Sequence, residues 1–253
     1  MNLTVRVTPP RWLALATALI FTLGGVAAYA DSPVRVRVVP NEEIASATGR
    51  TATEWGDAWW KWAFNHPEVL GDDSGEFGYL GDVRGPVFFA EGSSGTPFKG
   101  TVDVPRGEYV LLPVASYIWT FFNPCAEIRC ARRIINDDFI SDIRDVFVSV
   151  DGKPVGDLAA HLVKVDRYNP QVFLIDAGPI GPDGYGGILP ALQGGYWLML
   201  EPLPQGPHRV VFGATVPELD SITGAPTGET RRLLADLTLR PGPCRQNRHC
   251  SRF

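Results

Sequence analysis

Residues 51–64 read T-A-T-E-W-G-D-A-W-W-K-W-A-F and hold four of the chain's seven tryptophans within eight positions. At about 100° per residue, Trp55, Ala58, Trp59 and Trp62 gather on one side of a helix. Trp60 and Phe64 point to the other side, beside Asp57. A helix that is aromatic on two sides has to be covered on both, by protein or by a ligand. Thr51 or Thr53 is placed to cap its start, Glu54 and Asp57 lie near its positive end, and Asp57 and Lys61 form an i, i+4 pair. Asn65-His66-Pro67 ends it, because the residue before a proline is pushed out of the helical region. His66 there is placed to satisfy terminal carbonyls.

Downstream of this helix the texture changes to short apolar runs divided by Gly, Pro and Asp turns. Strands are predicted over 86–90, 98–104, 108–115, 117–122, 146–150, 155–158, 171–176, 196–201, 208–216 and 231–239. Asp151-Gly152 marks a hairpin turn. Residues 136–145 begin polar and place Phe139, Ile140 and Ile143 at helical spacing, which predicts one short surface helix. Residues 177–195 show no periodicity and predict a long loop, placed to act as a lid or a crossover. Strands recur at roughly ten-residue intervals without βαβ alternation. The expected fold is therefore all-β: an antiparallel β-sandwich or jelly-roll-like body with one aromatic N-terminal helix and one short additional helix. It forms one domain over 51–253, preceded by an extended lead-in over 31–50, where Val34, Val36 and Val38 alternate with Arg35 and Arg37.

Upstream, residues 1–30 read as a signal peptide: Arg6 and Arg11, an apolar run over 13–26, and the small-x-small pattern Ala28-Tyr29-Ala30 before Asp31. Cleavage there removes two arginines and no acid, leaving 21 basic against 28 acidic residues and a formal charge of −7. No basic field exists to release counterions from nucleic acid or anionic lipid, so neither is expected as a partner after cleavage. The expected location is the periplasm or the medium. Cys125, Cys130, Cys244 and Cys250 are an even set in an exported chain, and three pairings are open; their short spacings favour two local disulfides, 125–130 and 244–250. A zinc site built from these pairs and His249 does not match the spacings of structural knuckles.

The run from W-G-D-A-W-W-K-W through D-D-S-G-E, G-P-V-F-F-A-E-G and V-P-R-G-E-Y-V-L-L-P-V, then V-D-G-K-P-V-G-D-L and G-Y-W-L-M-L-E-P-L-P-Q-G-P-H-R-V-V-F-G, resembles an uncharacterised group of bacterial secreted proteins. The resemblance spans most of the exported part. It implies export and an all-β body and supplies no catalytic residue. Related chains often carry a cysteine soon after the acidic loop, where this one has Phe77 and Tyr79.

Several residues invite a chemical reading. Trp60 and Phe64 beside Asp57 would suit a sugar ring, the aromatic faces stacking while the carboxylate holds hydroxyls. Asp183 and Tyr185 in the glycine-rich loop join them as candidate ligand contacts. Asp72, Asp73, Glu76 and Asp82 offer oxygen ligands for a cation such as calcium, but they lack the D-x-D-x-D-G spacing and read first as solvated turn acids. No cofactor is expected. Neither a G-x-S-x-G elbow nor an H-E-x-x-H pair occurs, and His66, His161, His208 and His249 are scattered. The expected function is a non-catalytic exported binding protein for a carbohydrate or protein partner. The rivals are a glycosidase-like hydrolase using loop carboxylates and a structural envelope or matrix component.

Overall fold

The computed structural model describes residues 35–66, 81–90, 95, 97–121, 125–179 and 186–242. Among the described residues of the expected extended lead-in, only β1 (Val38–Val39) is strand; Asn41–Thr48 is a helix, α1. Glu42 and Glu43 favour its positive end, and Gly49 closes it with φ 83°, its N–H donating to the Ala45 carbonyl at 2.9 Å. The tryptophan stretch forms α2 (Ala52–Phe64). Thr51 is the cap: its hydroxyl accepts from the Glu54 N–H at 3.2 Å, and the Glu54 carboxylate accepts from the Thr51 N–H at 2.7 Å.

The remainder is mostly β. The strands are β2 (Gly81–Arg84), β3 (Val87–Ala90), β4 (Phe98–Pro105), β5 (Tyr109–Thr120), β6 (Arg144–Val150), β7 (Lys153–Pro154), β8 (Leu162–Val163), β9 (Phe173–Asp176), β10 (Ile188–Leu200), β11 (His208–Leu219) and β12 (Pro226–Gly242). One sheet runs β1-β10-β5-β3-β2, with β8 and β9 also paired to β10; the other runs β4-β12-β11-β6-β7. Pairing is antiparallel except for two parallel ladders, β3 with β5 and β4 with β12, so the expected purely antiparallel arrangement is corrected.

Period-two alternation explains how the first sheet is covered on both faces. Val110, Leu112, Leu198 and Leu200 face a core shared with Val148, Val210, Phe212 and Leu237 of the second sheet. Leu111, Trp197 and Met199 point the other way, onto α2. β5 and β10 are thus apolar on successive residues, the pattern of a strand buried on both sides.

Two departures from the sequence expectation lie along the β5–β10 ladder. The predicted loop 177–195 becomes strand from Ile188 onward, and its glycines are packing residues. A Cβ on Gly195, at φ 137°, would lie 2.2 Å from the Ala115 carbonyl oxygen, and one on Gly194 would lie 2.8 Å from Ile135 Cγ2. The predicted strands 108–115 and 117–122 are one strand, β5, whose ladder with β10 shifts register between Tyr196 and Trp197.

The predicted surface helix at 136–145 is neither superficial nor so placed. Helical structure begins with α3 (Ile128–Arg133), continues as a π-helix over Ile134–Phe139 and ends as a 3₁₀ turn over Ile140–Asp142. Ile134, Ile135, Phe139 and Ile140 are buried among Trp119 and Leu192 of the first sheet and Ala214, Val216 and Leu233 of the second. The Asn136 amide pins this segment to Val165, donating to its carbonyl at 2.9 Å and accepting from its N–H at 3.0 Å. Cys125 and Cys130 form a disulfide at its entrance, with Cα atoms 5.7 Å apart. Cys244 and Cys250 lie outside the described residues.

Candidate functional site

The tryptophan helix presents one continuous buried arc to the first sheet instead of two opposed faces. Trp55, Trp59 and Trp62 are buried, and so are Ala52, Gly56 and Ala63, the small residues that lie between the two aromatic sides. Gly56 is the point of closest approach: a Cβ there would sit 2.7 Å from Gln193 Nε2 and 3.0 Å from Trp197 Cε2. The buried indoles are individually anchored. Trp55 Nε1 donates to Thr48 Oγ1 at 2.7 Å, and that hydroxyl donates to the Ile44 carbonyl at 2.7 Å, which joins α1 to α2. Trp59 Nε1 donates to the Ala90 carbonyl at 2.8 Å.

Trp60 and Phe64 are half-buried, packed against Phe173, Ile175 and Ala191 of β9 and β10. Among the described residues the Trp60 indole N–H finds no hydrogen-bond partner. Each ring is therefore covered in part by β9 and β10.

Asp57 lies in the same interface at 5% exposure. Gln193 Nε2 donates to its Oδ1 at 3.2 Å and Gln171 Nε2 to its Oδ2 at 2.9 Å, while Gln193 Oε1 accepts from Trp197 Nε1 at 2.9 Å. Burial pushes the Asp57 carboxyl up to about 7, outweighing the two amide donors and the Lys61 charge, which act the other way. Asp57 is thus a neutral-range acid sealed under Gln171, held by amides and by no cation in hydrogen-bond contact among the described residues.

The other expected contacts are placed as follows. Asp72, Asp73, Glu76, Asp183 and Tyr185 lie outside the described residues, and Asp82 falls in β2. Among the described residues no group of three or more His, Cys, Asp and Glu side chains is arranged to hold a metal ion. His66 closes α2, its Nδ1 2.8 Å from the Trp62 carbonyl. His208 pairs with Asp151, but both ring nitrogens face acceptors: Nδ1 is 2.8 Å from the Asp151 carboxylate and Nε2 is 3.1 Å from the Pro204 carbonyl. Neither nitrogen is available to activate a nucleophile, so the pair locks the turn entering β11.

A different surface emerges along β9. Among the described residues six large apolar side chains are exposed, and four of them cluster here: Tyr168, Val172 and Leu174 on β9 and its approach, and Ile188 at the start of its partner β10. Leu174 is 56% and Ile188 63% exposed. Leu174 pairs with Pro190 and Asp176 with Ile188, so both apolar side chains stand on one face of the ladder. Pro190 has no N–H, and its carbonyl accepts from the Phe121 N–H at 2.9 Å, so the Leu174 backbone turns away from β10. Among the described residues no strand pairs with that outer edge. Ahead of it, the Asp166 carboxylate accepts from the N–H groups of Tyr168 and Asn169, both at 2.7 Å. That turn displays Tyr168 at 88% exposure, with the Arg167 guanidinium 5.6 Å from its ring centroid. Sequence alone does not reveal this surface, because an outward Leu and Ile in a strand look like core residues until the sheet's coverage is known.

Comparisons with protein-family models, curated proteins and solved structures find no match to this chain.

Proposed function

We propose that the chain is an exported, non-catalytic β-sandwich protein that recognises a protein partner along the outer edge of β9. The observation that carries this reading is that Leu174 and Ile188 stand on one exposed face, beside an edge of β9 that no strand pairs with among the described residues. An open edge offers backbone N–H and C=O groups for strand addition, and adjacent apolar side chains supply the desolvated contact that makes such addition selective. Tyr168 and Arg167 extend the strip with the residue types enriched where partners bind most tightly. The signal-peptide pattern of residues 1–30, the Cys125–Cys130 disulfide and the resemblance to secreted bacterial proteins support an extracytoplasmic setting. A protein partner is preferred to a carbohydrate because Trp60 and Phe64 are partly covered by Phe173, Ile175 and Ala191.

Site-specific photocross-linking in cells producing the full chain tests the proposal. A benzophenone amino acid at position 174 should yield a discrete protein adduct, whereas the same group at the exposed position 240 of β12 should not. Ile188→Lys should abolish the adduct while leaving stability within about 0.5 kcal/mol, the usual range for exposed positions. An adduct at twice the chain's mass would assign the partner to a second copy. Equal labelling at positions 174 and 240, or an adduct unaffected by Ile188→Lys, would overturn the reading.

A further inference from the structure

Residues 128–133 read I-R-C-A-R-R and form α3, whose arginines line a cavity of about 310 Å³ together with Glu127, Cys130 and Asp137. We propose that this cavity binds a small hydroxylated anion, a sugar phosphate or a uronic acid, at a site independent of the β9 edge. Arg129 stands three residues before Arg132 and four before Arg133, so the three guanidiniums share one helix side, where like charges repel. Arg133 is neutralised by Asp138 at 2.5 Å. Arg129 and Arg132 have no ion pair or hydrogen bond among the described residues, although Arg132 is half-buried.

Arg129 and Arg132 bring into one cavity two guanidiniums that have no ion pair among the described residues, in a chain of formal charge −5. An oxyanion would relieve their repulsion and accept planar, charge-assisted hydrogen bonds from both. Glu127 and Asp137, both exposed, line the same space. Carboxylates repel a second negative group and accept hydrogen bonds from hydroxyls, which selects a ligand with one anionic end and a polyol body. The volume falls at the small end of ligand pockets, suited to one monosaccharide.

The floor of the cavity is rigid. Cys130 is tied by its disulfide to Cys125, whose carbonyl accepts from Trp119 Nε1 at 3.2 Å. Ala131, Ile134 and Ile135 are fully buried beneath the arginines. The guanidinium stems therefore project from a backbone that does not have to be ordered by the ligand, which lowers the cost of binding.

Calorimetric titration of the full chain at low ionic strength tests the site, with glucuronate, glucose 6-phosphate, inorganic phosphate and glucose as probes. The two charged sugars should bind at least about tenfold more tightly than glucose, and R129Q and R132Q should each remove about tenfold of that affinity. Arg129 is exposed, so R129Q tests the contact without threatening the fold. R209Q, which removes the exposed Arg209–Asp236 pair of the second sheet, should bind as the parent does. Equal binding of charged and neutral sugars, or undiminished binding by R129Q and R132Q, would overturn the site. Inorganic phosphate binding as tightly as glucose 6-phosphate would overturn its assignment to a sugar.

Discussion

Asp57→Asn is expected to stabilise the protein at pH 8 and to leave it nearly unchanged at pH 4. The Asp57 carboxyl titrates at about 7 in the folded chain against an ordinary value of 3.8. A raised carboxyl contributes its stability below the unfolded value and loses it as pH climbs through the folded one. The difference between parent and variant should therefore open between about pH 4 and pH 7 and level off above about pH 8. The rise from 3.8 to about 7 sets a ceiling of about 4 kcal/mol on the gain at alkaline pH. Geometry permits the substitution. Gln193 cannot turn, because its Oε1 accepts from Trp197 Nε1, so it goes on donating to the oxygen that the new amide keeps. The new NH₂ group then faces Gln171, which is exposed and free to present its own oxygen. Urea melts of both proteins at pH 4.5 and 8.5 measure the effect. An equal difference at the two pH values would show that Asp57 is not held neutral by burial.

Trp59→Ala is the second large effect, a loss of roughly 3–5 kcal/mol. Trp59 is 5% exposed, and its ring meets Trp60, Trp62 and Trp197 edge-on at centroid distances of 5.1, 5.7 and 5.6 Å. Its removal opens a cavity between α2 and the first sheet and also leaves the buried Ala90 carbonyl without its donor. Trp60→Ala should cost less, about 2 kcal/mol, because that ring is half-buried and its N–H has no hydrogen-bond partner among the described residues. The comparison bears on function as well as stability. A Trp60 variant melting like the parent would mean that the ring leaves β9 in solution, restoring it as a ligand face. Losses of equal size would mean that β9 covers α2 as fully as the tryptophan core does.

The amino-acid sequence alone was enough to locate α2 and its stop and to narrow its cap to Thr51 or Thr53, because capping and proline effects act over three or four residues. It was enough, too, for a mostly β body and for the Cys125–Cys130 pairing, since alternation and a short covalent loop are local properties. Tertiary structure decided everything that depends on what covers a surface. Trp60 and Phe64 were legible as a second aromatic side, but only the positions of β9 and β10 show that side to be partly packed. Gly194 and Gly195 carry the composition of a loop, yet they lie in β10, where neighbouring backbone and side chains leave no room for a Cβ. Asp57 reads as one half of a surface ion pair with Lys61, and it becomes a neutral-range acid only because Gln193 and Gln171, more than one hundred residues away in the chain, close over it. Leu174, Ile188, Arg129 and Arg132 carry no functional signal as letters. Whether an apolar or charged side chain is core, solvated surface or binding contact is settled by its neighbours in space, and those come from distant parts of the chain.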